Sequence, residues 1–279
     1  AKAWIKLPGN LTFQPSELVK IGFIITFSKH LSILKEKGKL SSFSNILFLC
    51  LHAFVPIILT HLQGDDGAAI IFFFMFIAMT FAAGIPLRYF IILFSIILAA
   101  LPIAWQYVLK DYQKNRIINM FNPEADALGD GYQQIQGKIS IGSGQLWGRG
   151  LFHGPRVGNN MVPIQESDLI FSVAGEELGF IGCILIIVLL LALMGRTFYV
   201  ASKSCDHLGS YLCLGFFSLI ATQVIFNLGM CLSLLPVMGI TLPFLSAGGS
   251  SAACLYLGIG LIQNVYTNRL DTDKAGLRL

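Results

Sequence analysis

The stretch Gln165-Glu166-Ser167-Asp168-Leu169-Ile170-Phe171 closes a polar, glycine-rich segment that opens at Asp111 and lies between two long apolar runs. Gly131, Gly137, Gly142, Gly144, Gly148, Gly150, Gly154 and Gly158 are threaded through its aromatic and charged residues, more glycine than a soluble linker needs. The flanking runs are long enough to cross the roughly 30 Å hydrocarbon core, which takes about 20 residues. Working outward, seven such runs appear, at about 15–31, 43–62, 67–84, 87–109, 169–194, 209–232 and 249–265. The first is short and holds Glu17 and Lys20. A mean hydropathy of +0.72, with 55% apolar and 12% charged residues, argues against a soluble protein. The expected fold is all-α: one polytopic membrane domain over 1–279 with seven transmembrane helices and a large extracytoplasmic loop over 111–168.

Orientation follows from the Lys/Arg bias of the short loops. With Lys29–Ser42 in the cytoplasm, that side also receives Lys35, Lys37, Lys39, Arg88, Arg196, Lys203, Arg269, Lys274 and Arg278. The opposite short segments hold only Lys2 and Lys6, which puts the start of the chain and the long loop outside. The net charge of +4 therefore reads as anchoring at a membrane surface, not as nucleic-acid binding. Cys50, Cys183, Cys205, Cys213, Cys231 and Cys254 all avoid the long loop, so neither a disulfide framework nor a cysteine metal site is implied. The chain opens Ala-Lys-Ala-Trp, without methionine or a signal segment, as a piece of a longer protein would.

Local signals refine this outline. Trp4–Gln14 reads as a short strand or loop, Pro15 as a first helical residue, and Ser16 as a helix cap. Pro102 predicts a kink, with the chain running on towards Tyr112. Leu235–Pro243 is apolar but broken by proline, as in a re-entrant or buried segment. Ser246–Ser251 is a run of small residues that permits close helix approach.

Several residues are candidates for chemistry. Glu17 and Lys20 share a helix face, as a self-satisfied pair or as the charged wall of a cavity that takes an anionic substrate. Asp65 and Asp66 sit between glycines, where turn hydrogen bonding alone accounts for them. Arg116, Lys138, Arg149 and Arg156 face six acidic residues in the long loop; a divalent cation stays open there, although no ligand spacing marks a site and no other cofactor is implied. Gly142-Ser143-Gly144 is a fragment of a phosphate cradle with no strand before it. Asp168 is either the N-cap of the next helix or a partly desolvated base. Glu176 and Glu177 pose the same question deeper in, while Gln223 and Asn227 suit hydrogen bonding between helices. No Ser–His–Asp or Cys–His constellation is present.

Taken in order, these segments resemble the SEDS family (shape, elongation, division and sporulation). Phe13-Gln14-Pro15-Ser16-Glu17-Leu18-Val19-Lys20 resembles that family's FQPSExxK signature, and Gln63-Gly64-Asp65-Asp66-Gly67 its QPDLG turn. Ser167-Asp168-Leu169-Ile170-Phe171 and the following Gly175-Glu176-Glu177-Leu178-Gly179 are similar to its TDFIFAxxGEExG block, and Asn227-Leu228-Gly229-Met230 and Leu242–Ser250 to its last helices. The Asp111-Tyr112-Gln113 opening of the loop leans towards the RodA branch.

The resemblance implies a ten-helix membrane protein of which this chain lacks the first three helices. It implies a glycosyltransferase that polymerises lipid II on the outer face of the bacterial cytoplasmic membrane, beside a class B penicillin-binding protein that crosslinks the strands. Asp168 would be the general base, Lys20, Lys138 and Arg116 the cations for the pyrophosphate, and Glu17 and Asp65 further lining of the same cavity. The chain departs from the pattern at Ala3, at Ala247 and across Pro163-Ile164-Gln165-Glu166-Ser167, where Glu166 places a second negative charge beside Asp168. A transporter of lipid-linked substrate is the rival expectation and predicts inverted repeats and broken helices. A scaffold for a partner enzyme is the third.

Overall fold

The computed structural model describes residues 4–6, 12–126, 130–159, 161–163 and 165–276. Lys2, Ala3, Ile164 and Arg278, which entered the charge bias and the family match, lie outside them, as do the side chains of Arg269 and Lys274. Seven long helices fall on the seven expected runs: α1 (Pro15–Glu36), α2 (Phe43–Leu62), α3 (Asp66–Ala83), α4 (Leu87–Ile103), α8 (Ile170–Ser202), α9 (His207–Cys231) and α10 (Gly249–Gly276). Among the described residues five are long and apolar enough to cross a membrane: α2, α3, α4 with its extension to Val108, α8 and α9. Glu17, Lys20 and Lys29 keep α1 below that apolarity, and α10 turns polar from Gln263. The chain is a multi-pass, all-helical membrane protein.

It packs as two compact units. The first comprises residues 1–86, 191–222 and 248–279. A short antiparallel pair, β1 (Ile5–Lys6) and β2 (Thr12–Phe13), leads into α1. Pro15 takes the first helical position as expected, but Ser16 is not the cap: Gln14 holds the capping position, without a side-chain bond to the helix's own backbone. The Ser16 hydroxyl instead donates to Asp65 Oδ2 at 3.3 Å. The core is aromatic, with Phe23 stacked on Phe27 at 4.9 Å and edge-on to Phe72 at 5.5 Å. Small residues let helices close in: a Cβ at Gly258 would lie 2.0 Å from the Phe216 ring.

The second unit comprises residues 87–190 and 223–247. Pro102 is followed by a π-helical turn over Ala104–Val108, which ends α4 with Leu109 extended, short of Tyr112. The expected loop is largely helical: α5 (Asp111–Phe121), a 3₁₀ turn at Pro123–Asp126, α6 (Asp130–Ser143) and the short α7 (Pro155–Gly158). Residues 232–247 form no regular element, and Ile240 and Leu242 are buried in the unit, in line with the proline-broken sequence.

The loop glycines find their reason in α8. This helix is broken at Gly179, whose φ of 68° and ψ of −167° only glycine adopts readily. The freed donors Phe180 N and Ile181 N bond the carbonyls of Gln145 (2.8 Å) and Leu146 (3.2 Å). The freed carbonyls of Glu176 and Glu177 accept from Arg149 N (2.9 Å) and Gly150 N (3.0 Å). Backbone meets backbone here, so a Cβ at Gly144 would come 1.9 Å from Gly175 O, and one at Gly148 2.1 Å from Glu177 O. Gly144 is therefore accounted for by close packing against α8, while Gly142 faces open space. Gly179→Ala places a Cβ 2.2 Å from Gly148 N, on top of a backbone strain of roughly 1–3 kcal/mol. It is expected to lower the thermal midpoint of the purified protein by several degrees and to bare the 145–150 segment to protease.

Candidate active site

Asp168 sits in the turn that leads into α8, half-buried, one residue before the buried Leu169. It does not cap the helix. The nearest backbone donors, Ser172 N and Val173 N, bond the carbonyl of Leu169, and the Asp168 carboxylate accepts from Ser167 Oγ at 3.1 Å. Its Oδ2 lies against Gly239, where a Cβ would be 3.7 Å away. Burial pushes the Asp168 carboxyl above its ordinary range, and neither the Ser167 hydrogen bond nor the nearby Arg116 guanidinium, which pull the other way, cancels the effect. The expected like-charge contribution from Glu166 is replaced by desolvation; Glu166 is exposed, and its carbonyl accepts from Ala247 N at 2.7 Å.

The turn is held by the irregular segment after α9. Asn227, fully buried, donates from Nδ2 to Asp168 O (2.8 Å) and to Ile240 O (2.7 Å). Ser246 Oγ donates to Ser167 O at 2.6 Å and accepts from Leu242 N at 2.7 Å. Asn227, Ser246 and Gly239 are thus the positioning residues that sequence reasoning missed, because Asn227 read as a bond between helices. The Asn227–Leu228–Gly229 and Leu242–Ser246 motifs carried the signal, but not their meeting point. Asn227→Ala leaves the buried Ile240 carbonyl without its amide donor and Asp168 O with only the weak Cys231 thiol at 3.7 Å, and is expected to cost about 2 kcal/mol. Thermal unfolding would show this, together with a reduced rate through the loosened Asp168 turn.

Of the other expected site residues, Arg116 in α5 shares the second unit with Asp168 and stacks on the Tyr112 ring at 5.6 Å. Lys138 lies exposed on α6, and among the described residues no hydrogen bond or ion pair joins it to the Asp168 turn. Glu17, Lys20 and Asp65 belong to the first unit. Lys20 is 1% exposed and donates to Glu17 Oε1 at 2.7 Å, so its charge is satisfied locally. Asp65 caps α3 through Ala68 N (3.0 Å) and accepts from Gln14 Nε2 (2.7 Å), which favours the turn reading of that residue. Glu176 is fully buried, with Oε1 accepting from Arg156 N at 2.9 Å. Among the described residues no three His, Cys, Asp or Glu side chains gather as a metal site.

A membrane protein with a basic-shifted carboxylate at the mouth of a broken helix is a candidate for proton-transfer chemistry on a membrane-borne substrate. The family of FtsW, RodA and SpoVE cell cycle proteins matches residues 1–270, and this chain belongs to it. The peptidoglycan glycosyltransferase MrdB of Escherichia coli K12 is 32% identical over 275 residues, 99% of this chain and 73% of that protein. The probable peptidoglycan glycosyltransferase FtsW of Geobacter sulfurreducens DL-1 / KN400 is 37% identical over 96% of this chain and 70% of its own length. Among solved structures, one described as a peptidoglycan synthase complex coordinating polymerization and crosslinking superposes with a TM-score of 0.78. It is 28% identical over 96% of this chain and 73% of that one. The rod shape determining protein RodA of Thermus thermophilus superposes with a TM-score of 0.64, at 27% identity over 96% of this chain and 69% of that one.

Proposed function

We infer that this chain is a peptidoglycan glycosyltransferase of the elongation type, polymerising lipid II into glycan strands. The observation that carries the reading is Asp168: a half-buried carboxylate with raised basicity, its own carbonyl fixed by Asn227 and that of the preceding Ser167 by Ser246. In the reaction, Asp168 takes the proton from the acceptor sugar's hydroxyl as that oxygen bonds the donor's anomeric carbon. The bond from that carbon to the pyrophosphate breaks, and undecaprenyl pyrophosphate leaves with its electron pair. A positioned base supplies about 10²–10⁴-fold, and the remainder falls to positioning and to cations near the leaving group. Arg116, whose charge is felt at Asp168, is the best-placed cation, and Lys138 is exposed on the surface of α6. Lys20 and Asp65 are engaged within the first unit, Lys20 by Glu17 and Asp65 as the cap of α3.

The Lys/Arg bias supports the bacterial cytoplasmic membrane with Asp168 facing outward, and a class B penicillin-binding protein is the fitting crosslinking partner. One observation touches the transporter reading, since α8 is a broken helix. The backbone groups of Phe180, Ile181, Glu176 and Glu177 at the break bond the 145–150 segment in place of a substrate. The test is the polymerisation of labelled lipid II by the protein with its transpeptidase partner, native against Asp168→Ala. Product from the native protein alone supports the assignment, and equal product from both overturns the role of Asp168. No product, with lipid II crossing vesicle membranes, establishes the transporter.

A further inference from the structure

The segment Gln145–Phe152 exposes a cluster of large apolar side chains: Leu146 (59% exposed), Trp147 (80%), Leu151 (57%) and Phe152 (91%). Both ends of the segment adopt left-handed backbone, with φ 52° at Gln145 and 62° at Phe152. Such a conformation is strained for a phenylalanine, and with its ring almost wholly exposed the fold returns nothing for holding it there.

The level of this segment is set by α8. Its backbone is bonded to residues 176–181 across the break at Gly179. Before the break, residues 171–177 are buried in the unit, apart from a half-buried Val173. From Leu178 onward α8 turns apolar side chains outward, among them Phe180, Ile181, Ile184 and Leu185. A helix rises 1.5 Å per residue, so the residues from Gly179 to Ser202 suffice for the roughly 30 Å hydrocarbon core. The break therefore marks where α8 enters lipid, and the 145–152 segment is strapped to the helix at that boundary.

We propose that Gln145–Phe152 is a membrane-interface wedge, with Trp147, Phe152 and their leucine neighbours seated among the lipids of the leaflet on the Asp168 side. The occupant is lipid because the patch continues the lipid-facing surface of α8. Its composition also fits the boundary, with aromatic rings beside the exposed Arg149, whose guanidinium suits headgroup phosphates. The wedge fixes the height of the loop, and with it the Asp168 turn, above the bilayer. The inference rests on α8 as a membrane span and not on the reaction assigned to Asp168.

The experiment compares the native protein with Trp147→Phe in phosphatidylcholine–phosphatidylglycerol nanodiscs, the difference spectrum isolating Trp147. Aqueous iodide and lipids labelled with a quencher at a shallow or a deep acyl position are then added. The expected result is blue-shifted emission, quenched several-fold more by the shallow lipid label than by iodide. Quenching by iodide at the level of free tryptophan, without quenching by lipid, overturns the proposal and returns the patch to water. Protection from both quenchers also overturns it and assigns the patch to a protein contact.

Discussion

Replacing Asp168 by asparagine is expected to cut glycan polymerisation by about 10²–10⁴-fold while raising, not lowering, the thermal midpoint at neutral pH. The two effects share one cause. Asparagine keeps the size of the side chain and its bond with Ser167 but cannot take a proton. The native carboxyl has its pKa raised by burial in the folded state, so between the unfolded and folded values the folded protein binds more protons. The sign follows: stability is highest below the unfolded pKa and falls as pH rises through the folded one. At neutral pH the charged Asp168 is therefore a burden that asparagine removes, as at other sites where function and stability conflict. The native rate should fall as pH drops through the raised pKa. Arg116→Ala, which deletes a cation that holds that pKa down, should shift this acid limb to higher pH. Equal rates for native and Asp168→Asn protein, or a destabilised variant with an unmoved pH profile, would remove Asp168 from the chemistry.

The second large effect belongs to Lys20. The residue is 1% exposed, with its ammonium 2.7 Å from Glu17 Oε1. Lys20→Met leaves the Glu17 carboxylate buried without its partner, a situation that costs about 3–5 kcal/mol. The double variant Glu17→Gln with Lys20→Met removes both charges and should recover more than half of that loss. Thermal unfolding of the three proteins in detergent separates the outcomes. A single variant as stable as the native protein would mean that the pair does not hold α1 in place. A double variant no better than the single one would put the cost in lost packing of the lysine stem.

Five of the long helices were legible because a run of about 20 apolar residues states its own length, and α1 and α10 because their shorter apolar stretches still stood apart from the polar segments around them. Asp168 was legible as a candidate, since an Asp at the edge of an apolar run reads either as a helix cap or as a partly desolvated base. What escaped was contact between distant segments. The glycines at 144 and 148 look like loop punctuation, and only the carbonyls of Gly175 and Glu177 explain them. Asn227 carries no mark that its amide reaches Asp168 O, 59 residues away. The helices α5 and α6 were hidden for a different reason: both are polar and short, and their periodicity is weak beside the membrane spans. Ser16 misled because Pro15 and Gln14 start the helix on their own, which frees the hydroxyl for Asp65.

Asp65 also bears on the order in which the chain is assembled. Helix α1 is synthesised before α2 and α3, yet Ser16 at its start is completed by a carboxylate 49 residues downstream. The same carboxylate caps α3, so one side chain closes the first helix and opens the third. Until the ribosome has delivered Asp65, α1 can lie in the bilayer but its first turn has no fixed end.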